Sequence, residues 1–393
     1  MGEAIRAIAV VPPGLEDAAA AELSELGAAG IKPLRRAVSL HCDLATLYRL
    51  HLRARLPFRV LRQLASFPCH SKDELYQGIQ QAVDWQHWLP PERSFRVDAS
   101  GSAPGLNHSH YSALQVKNAL VDWQRSHWGA RSSVDLEQPD LSLHLHLGGG
   151  LAQLSVDGSG SSLHRRGYRS RMGLAPLKEN LAAGLIRLTG WDGAVPLADP
   201  LCGSGTLLIE AAAMVLGAAS GLDAASGNAR PLALQHWSDF DPQLWQQELQ
   251  AARASERTAS GQLSDGAPIA AIAGSDSEAE VIEQACANAE AAGVGDWLTL
   301  QVGDCRNFVP PAGRGILVCN PPYGARIGAD DHQALEQLYA DLGAMAKDRC
   351  SGWTLWLLSG NPELTGALRM KATRKIPVSN GGIDCRWLRY EIR

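Results

Sequence analysis

Two short motifs, at residues 199–206 and 320–323, constrain the fold of this 393-residue chain more than any other feature. The first, Asp199-Pro200-Leu201-Cys202-Gly203-Ser204-Gly205-Thr206, ends an apolar stretch and opens a helix-like run. A strand, a glycine turn and a helix in that order form a cofactor-binding loop at the carboxyl edge of a parallel sheet. The second, Asn320-Pro321-Pro322-Tyr323, follows another buried-strand pattern. We therefore expect the two motifs to meet at one edge of one sheet.

The second motif has the chemistry needed to modify an amine. Two consecutive prolines stiffen the backbone and remove two amide donors, so the amide oxygen of Asn320 and a backbone carbonyl are predicted to face the pocket as acceptors. They would receive the two protons of an exocyclic amine and direct its lone pair at a methyl group. Tyr323 offers a ring face for a flipped-out base. The alternative is a rigid turn that ends a strand, but together the motifs are similar to the cofactor and catalytic loops of S-adenosylmethionine-dependent amino-methyltransferases.

Strand-end residues take predicted roles in binding this cofactor. Gly203 and Gly205 allow the backbone to approach it, and the following helix N-terminus faces its carboxylate. Asp199 is predicted to anchor its amino end, directly or through water. Cys202 is interpreted as a small neighbour rather than a nucleophile, because no nearby base activates it. The predicted loop contacts also include Ser204 and Thr206.

Two further aspartates follow predicted strands. Asp276 is placed to accept hydrogen bonds from both ribose hydroxyls, and Asp304 is placed near the adenine amine. A single aspartate after a strand more often caps a helix. Three of them, at the ends of three consecutive strands, favour the cofactor role.

Composition fits an enzyme of more than one domain. Hydrophobic residues make up 45% and charged residues 20% of the chain, which is ordinary for globular proteins. No apolar run reaches the roughly 20 residues of a membrane span, and the N-terminus does not resemble a signal peptide. The eight cysteines form no CxxC pair and show no zinc spacing. We expect a cytoplasmic protein with reduced thiols, no metal and no membrane partner.

Charge is distributed unevenly along the chain. Residues 1–170 carry a net charge of +2 and the rest carry −7. Seven arginines lie between residues 35 and 62 with one acid, Asp43. A solvated helix face is the alternative, but beside a base-modifying motif the cluster favours contact with RNA phosphates. The arginines predicted to make these contacts are Arg53, Arg55 and Arg59.

Three units are expected along the chain. Residues 1–60 and 61–160 mix strands and helices, and the flexible stretch Gly158–Ser162 marks a boundary. Residues 165–393 alternate strand and helix around an insertion at 217–267. This alternation predicts a doubly wound α/β sheet with its functional residues at the carboxyl ends of the strands.

Stretches outside the two loops resemble a known family. The chain is similar to the large-subunit ribosomal RNA guanine-N2 methyltransferases of the RlmL type. The resemblance implies a ferredoxin-like segment at 1–60, an α+β THUMP RNA-binding domain at 61–160 and a Rossmann-like methyltransferase domain with a seven-stranded sheet at 165–393. The stretches that carry it are Pro13-Gly14-Leu15-Glu16, His164-Arg165-Arg166-Gly167-Tyr168-Arg169, Ala175-Pro176-Leu177-Lys178-Glu179-Asn180-Leu181-Ala182 and Asn380-Gly381-Gly382-Ile383-Asp384-Cys385-Arg386.

The resemblance also implies a substrate. It points to methylation of guanosine N2 in 23S ribosomal RNA or a pre-50S particle, with the junction arginines Arg165, Arg166 and Arg169 as further RNA contacts. Some relatives carry a second methyltransferase domain at the C-terminus, and this chain stops at Arg393, so only the guanine-N2 activity is implied. Transfer RNA is an alternative substrate. Methylation of DNA adenine or protein glutamine leaves the basic first half unexplained, and a non-catalytic RNA-binding or assembly factor does not account for residues 320–323.

Overall fold

The computed structural model describes residues 4–169, 177–255, 266–323 and 329–393. The start of one family-like stretch, Ala175-Pro176, and the end of the predicted insertion lie outside these ranges. The described residues form two seven-stranded sheets with helices packed against them. The predicted α/β class is confirmed.

The first sheet builds an N-terminal module, residues 4–157, with strand order β2-β3-β1-β4-β7-β6-β5. Its first four strands and two helices form the βαββαβ unit of a ferredoxin-like fold. All neighbouring strands are antiparallel except β5 and β6. The strands are β1 (Ile5–Val10), β2 (Ala29–Leu34), β3 (Ala37–Cys42), β4 (Arg59–Pro68), β5 (Phe95–Gly101), β6 (Leu141–Gly148) and β7 (Leu151–Asp157), and the helices are α1 (Glu16–Glu25), α2 (Leu44–Arg53), α3 (Lys72–Gln81), α4 (Trp85–Trp88) and α5 (Ser109–Trp128).

Polar side chains begin several of these helices as the sequence dictates. Asp43 precedes α2 and accepts a hydrogen bond of 2.8 Å from the Thr46 amide. Ser71 accepts from the Glu74 amide at 3.2 Å, and Glu74 accepts from the His70 amide at 2.7 Å. These bonds satisfy amide groups that have no partner within the first turn of a helix.

Strand β4 joins the two expected units of this module into one sheet. It pairs with β1 on one side and with β7 on the other, so the division at residue 60 falls inside it. The stretch after β7, predicted to be flexible, instead continues the sheet. Gly158 donates to the Val60 carbonyl at 3.1 Å, and the Val60 amide donates to the buried Ser159 hydroxyl at 2.9 Å. The prediction of flexibility here is wrong because β4 supplies partners for the backbone.

The second sheet builds a C-terminal module, residues 177–393, with strand order β10-β9-β8-β11-β12-β14-β13. The first five are parallel, and β14 runs antiparallel between β12 and β13. The strands are β8 (Leu197–Asp199), β9 (Ile272–Asp276), β10 (Leu298–Val302), β11 (Ile316–Cys319), β12 (Thr354–Ser359), β13 (Arg374–Asn380) and β14 (Ile383–Glu391), and the helices are α6 (Glu179–Thr189), α7 (Thr206–Val215), α8 (Pro242–Ala254), α9 (Ala279–Ala291), α10 (Ala329–Arg349) and α11 (Pro362–Ala367).

The order of the C-terminal sheet places the two sequence motifs side by side. Strands β8 and β11 are parallel neighbours, with Ile316 opposite Leu197. Sequence order reverses at this pair, since β9 lies beyond β8 and β12 lies beyond β11. Ligands bind at such a switch point in doubly wound sheets. The prediction that both motifs reach one sheet edge is confirmed.

Buried arginines fasten the two modules together. Arg55, after α2, donates to the Glu210 carboxylate on α7 at 3.1 Å and to the Ala213 carbonyl at 2.9 Å. The guanidinium of Arg166 lies 3.6 Å from the other Glu210 oxygen and donates to the Arg55 carbonyl. Both arginines are buried. Their predicted role as RNA contacts is wrong, because their charges are enclosed between the modules and compensated there.

Three more arginines of the predicted basic cluster are also paired. Arg59 forms an ion pair with the buried carboxylate of Asp157. Arg62 pairs with Asp239 and lies 5.0 Å from the Trp88 ring. Arg49 donates two hydrogen bonds, of 2.7 and 3.0 Å, to Glu248 on α8. Much of the predicted insertion therefore serves as a docking surface for the N-terminal module.

Removing the central carboxylate of this interface should destabilise the protein. Glu210→Ala leaves the buried charges of Arg55 and Arg166 without a partner, at an expected loss of about 3–5 kcal/mol of unfolding free energy. Glu25→Ala is the matched control, because the Glu25–Arg187 pair crosses the same interface but Glu25 is 61% exposed. That control should lose less than about 1 kcal/mol. Urea denaturation compares them, and equal losses would contradict the assignment.

Candidate functional site

The glycine loop between β8 and α7 is held in a bent form by its own backbone. The Leu201 amide donates to Asp199 Oδ1 at 3.0 Å, and the Cys202 amide donates to the Ser275 carbonyl at 2.9 Å. Gly203 and Gly205 have φ values of +53° and +79°, a region that side chains other than glycine disfavour. A Cβ added to Gly203 would meet no atom within 4 Å. The loop therefore presents open backbone where the sequence predicted cofactor approach.

Asp276, at the end of β9, closes this loop from the neighbouring strand. Its Oδ2 accepts from the Gly203 amide at 3.1 Å and its Oδ1 accepts from the Glu278 amide at 3.1 Å. Each carboxylate oxygen retains lone-pair capacity for a further donor. The structure thus brings together Asp199, Gly203 and Asp276 as expected, and Asp276 as the ribose ligand stays a prediction.

Asp304 follows the next strand, β10, but its carboxylate is already engaged. It accepts from the Arg306 amide at 2.9 Å and pairs with the Arg306 guanidinium at 2.5 Å. These contacts lower the pKa of Asp304. This arrangement is that of a cap on the short turn Cys305–Asn307, and contact with adenine stays a prediction.

Asp199 is the most strongly perturbed acid of the site. It is buried, and loss of solvation raises the pKa of its carboxyl to about 8. The nearby charge of Asp276 acts in the same direction. A cation placed beside Asp199 would reverse this shift. Burial also raises the pKa of the Cys202 thiol, which keeps the thiol protonated and agrees with its interpretation as a small neighbour.

The loop after β11 presents an unpaired acceptor. Asn320 Oδ1 is buried and makes no hydrogen bond within the part of the chain that the structure describes. A buried acceptor left unpaired costs about 1–3 kcal/mol. The loop is braced from behind, where the Tyr339 hydroxyl donates to the Pro322 carbonyl at 3.4 Å. Asn320 therefore keeps a free acceptor at this strand end, and its binding of a substrate amine stays a prediction.

The ring of Tyr323 is held by residues that received no individual role from the sequence. Asn380 Nδ2 donates to the Tyr323 hydroxyl at 2.7 Å, and Cys385 Sγ lies 3.5 Å from the same oxygen. A Cβ on Gly360 would come within 3.2 Å of the ring, so glycine there leaves room for it. Asn380 and Cys385 belong to a family-like stretch, but Gly360 gave no signal in the sequence.

A cavity of about 650 Å³ lies on the Cys385 side of Tyr323. The loop after β12 forms one wall, and the two terminal strands form another. Polar side chains line it, including Asn361, Lys375, Asp384 and Arg386. The cavity therefore provides open space beside Cys385, one of the residues that contact Tyr323.

Comparison with known proteins matches each part of this architecture. The model of the RMKL-like methyltransferase domain matches residues 166–389, that of the THUMP domain residues 69–157, and that of the RlmL ferredoxin-like domain residues 6–61. The chain belongs to the RMKL-like methyltransferase family. The predicted ferredoxin-like and THUMP parts are confirmed with it.

Three relatives of this RMKL-like methyltransferase illustrate the match. A Synechocystis protein named "Putative RNA methyltransferase slr0064" is 43% identical over 98% of this chain and 96% of its own length. The ribosomal RNA large subunit methyltransferase K/L of Syntrophotalea carbinolica is 38% identical over 100% of this chain but only 54% of its own length. The crystal structure of SMU.472 complexed with SAH covers 100% of this chain and 99% of its own, with 27% identity and a TM-score of 0.85. These matches confirm S-adenosylmethionine as the cofactor.

The remaining arginines predicted to bind RNA have different surroundings in this RMKL-like methyltransferase. Arg169 donates to Thr206 Oγ1 at 2.7 Å and lies 3.4 Å from Glu179. It therefore supports the cofactor loop, and its contact with RNA stays a prediction. Arg53 is half-buried and Arg165 is exposed, and neither forms an ion pair within the described ranges.

Among the residues that the structure describes, no group of three or more His, Cys, Asp or Glu side chains is arranged to hold a metal ion. In the same part of the chain, no helix combines the length and apolar character needed to cross a membrane.

The raised pKa of Asp199 predicts that replacing this acid stabilises the free protein but weakens cofactor binding. The ordinary pKa of an aspartate is 3.8, and that of Asp199 in the folded chain is about 8. Between these two pH values Asp199 is protonated in the folded chain and ionised in the unfolded chain. Stability should therefore fall across this range as the pH rises. Asp199→Asn keeps the acceptor for Leu201 and cannot ionise. Its advantage over the wild type should grow from pH 5 to pH 8 by on the order of 1 kcal/mol per pH unit.

Chemical denaturation of the unliganded proteins at pH 5 and pH 8 measures this difference. Calorimetry with S-adenosylhomocysteine should show weakened binding by Asp199→Asn, because the amide cannot pair with an ammonium group. An Asp199→Asn variant no more stable than the wild type at pH 8 would contradict the buried, protonated state of Asp199.

Proposed function

We propose that this protein transfers a methyl group from S-adenosylmethionine to the N2 amine of a guanosine in 23S ribosomal RNA, free or in a pre-50S particle. The unpaired, buried Oδ1 of Asn320 beside the cofactor loop carries the proposal. It lies after β11, next to the strand end that holds Asp199. The site therefore joins an acceptor for an amine to a loop for the methyl donor.

The residues of the two loops divide the work of the reaction. Asn320 Oδ1 and a backbone carbonyl of residues 320–322 accept hydrogen bonds from the amine, which localises its lone pair on nitrogen. Tyr323, fixed by Asn380, stacks on the base and orients it. When bound, S-adenosylmethionine supplies an electrophilic methyl group on a sulfonium. The amine nitrogen held by these acceptors would attack that methyl group in line, with the C–S electron pair left on sulfur, and the methylated nitrogen would release its extra proton to solvent. Positioning supplies most of the rate enhancement.

RNA as the substrate class is supported by the N-terminal module. Residues 69–157 match a THUMP domain, and two relatives have names that specify RNA or large-subunit ribosomal RNA. A cytoplasmic location, where ribosomal subunits assemble, is part of the same proposal. Guanine N2 as the target follows from the family resemblance and from the need of the Asn320 site for an exocyclic amine.

Two other functions make different predictions. A transfer RNA methyltransferase would use the same loops on another RNA. A non-catalytic RNA-binding or assembly factor would gain nothing from a buried acceptor without a partner at Asn320. Nucleoside mass spectrometry of ribosomal and transfer RNA from cells lacking the gene distinguishes these functions. Loss of N2-methylguanosine from 23S RNA alone supports the proposal, and unchanged 23S RNA overturns it.

Asn320→Ala should separate cofactor binding from methyl transfer. The variant should bind S-adenosylhomocysteine within about twofold of wild type and methylate RNA about 100-fold more slowly, as expected when a transition-state acceptor is lost. Gln246→Ala, which removes an exposed amide side chain from α8, is the control and should keep full activity. Single-turnover assays with saturating 23S transcript give the rate, and an undiminished rate would remove Asn320 from the mechanism.

A further inference from the structure

A second cavity, of about 380 Å³, lies between the ferredoxin-like unit and the C-terminal module. We call it the interdomain groove. The N-terminal module contributes Arg35, Arg36 and Phe58 to it, and the C-terminal module contributes Lys178, Gly381 and Asp384. Unlike the cofactor loop and the cavity beside Tyr323, it is built by two domains at once.

The basic side chains of the groove are available to an outside partner. Arg35 and Arg36 form the exposed two-residue turn between β2 and β3, and Lys178 is exposed before α6. None of the three forms an ion pair within the described part of the chain. One acid that lines the groove, Glu16, is already bonded by the amides of Gly14 at 2.8 Å and Arg36 at 2.9 Å.

The charge balance of the groove favours an anion. Three cations face two carboxylates, and the Glu16 carboxylate is partly satisfied by amide groups. Asp384 is the other acid and lies where the groove and the larger cavity share a wall. The lining of the groove therefore carries a net positive charge.

An aromatic ring fixes one of these cations. The Lys178 ammonium lies 5.1 Å from the centroid of the Phe58 ring, a cation–π distance. The His164 ring meets Phe58 edge-on, with centroids 5.6 Å apart. Phe58 thus belongs to the N-terminal module but positions a charge of the C-terminal module at the groove.

The groove also borders the turn that carries Asn380. Ser379 and Gly381 line it on either side of Asn380, whose side chain holds the Tyr323 hydroxyl. Gly381 and Gly382 have φ values of +60° and +90°, and a Cβ on either would meet no atom within 4 Å. The turn between β13 and β14 therefore presents open backbone at the groove, within two residues of the Asn380 side chain that holds Tyr323.

We propose that the interdomain groove binds the backbone phosphates of the nucleotides that flank the target base. The RNA strand runs from the Arg35–Arg36 turn, past Lys178 and the Gly381–Gly382 turn, to Tyr323. Single-stranded nucleic acid is commonly held by such a combination of a basic groove and aromatic side chains. This inference rests on the proposed function, because it assumes that the base stacked on Tyr323 belongs to RNA.

Neutralising each wall of the groove tests the inference. Arg35→Gln/Arg36→Gln removes two charges from one wall and Lys178→Gln removes one from the other. Arg314→Gln/Arg393→Gln is the matched control, because both arginines are exposed at the opposite edge of the C-terminal sheet. Binding of unmodified 23S transcript is titrated at several salt concentrations, with thermal melting and calorimetry with S-adenosylhomocysteine on the same samples.

Each lost phosphate contact should reduce the slope of log affinity against log salt by about 0.7, so the double variant should lose about 1.4. The KM for RNA should rise about tenfold, while melting temperature, binding of S-adenosylhomocysteine and kcat stay at wild-type values. Wild-type slopes in both groove variants would overturn the inference. So would a lowered melting temperature with an unchanged slope, which would make these side chains structural.

The outcome is separable from that of the proposed function. If wild-type protein methylates no guanosine in the 23S transcript, the proposed reaction fails. The groove is still judged by the salt slopes alone, because those need binding and not turnover. If methylation is normal but the slopes do not move, the groove inference fails and the reaction stands.

Discussion

The buried cluster of Arg55, Arg166 and Glu210 is the contact on which the arrangement of the whole molecule depends. Glu210 lies on α7, the helix that begins at the cofactor loop, so the carboxylate that fastens the N-terminal module sits about one helical turn from that loop. Arg169 adds a second connection at Thr206, within the loop motif itself. Because a buried ion pair is tolerated only with its full set of partners, the two modules are held in one relative position. The N-terminal module is therefore connected to the cofactor loop through α7 and its buried charge network.

The uneven charge of the chain has a structural explanation. The excess of acids after residue 170 supplies partners for arginines before it, as in Arg49 with Glu248 and Arg62 with Asp239. A basic cluster in the sequence resembles an RNA-binding surface because the acidic side chains that pair with it lie far away in the sequence. Once these pairs are made, the cations that remain open include those beside the catalytic loop, at the interdomain groove. Ion pairs between these arginines and acids of the C-terminal module thus reduce the number of cations that are free to bind phosphates.

The strand and loop patterns of the sequence predicted the arrangement of the C-terminal module well. Each functional loop follows its own strand, and parallel strands bring their carboxyl ends to one edge, so sequence alone placed Asp199, Asp276 and Asn320 together. The arginines could not be placed in this way, since Arg55 meets Glu210 across 155 residues and Arg49 meets Glu248 across 199. The Asn380–Tyr323 bond, across 57 residues, was out of reach for the same reason. No strand or helix periodicity reports which distant side chain will complete a pair.

The site concentrates unfavourable groups at two adjacent strand ends. Asp199 closes β8 as a buried acid whose raised pKa records its lost hydration, and Asn320 follows β11 with a buried oxygen that lacks a donor. Each is destabilising in the free protein, and in the proposed reaction each gains a partner: an ammonium for Asp199 and an amine for Asn320. Strands β8 and β11, which end at these two residues, are deeply buried, and Leu197 and Leu317 are fully inaccessible to solvent. Packing of those strands, rather than contacts within the site, holds both acceptors in place. The free-energy cost of leaving Asp199 and Asn320 without partners is therefore recovered when cofactor and substrate bind.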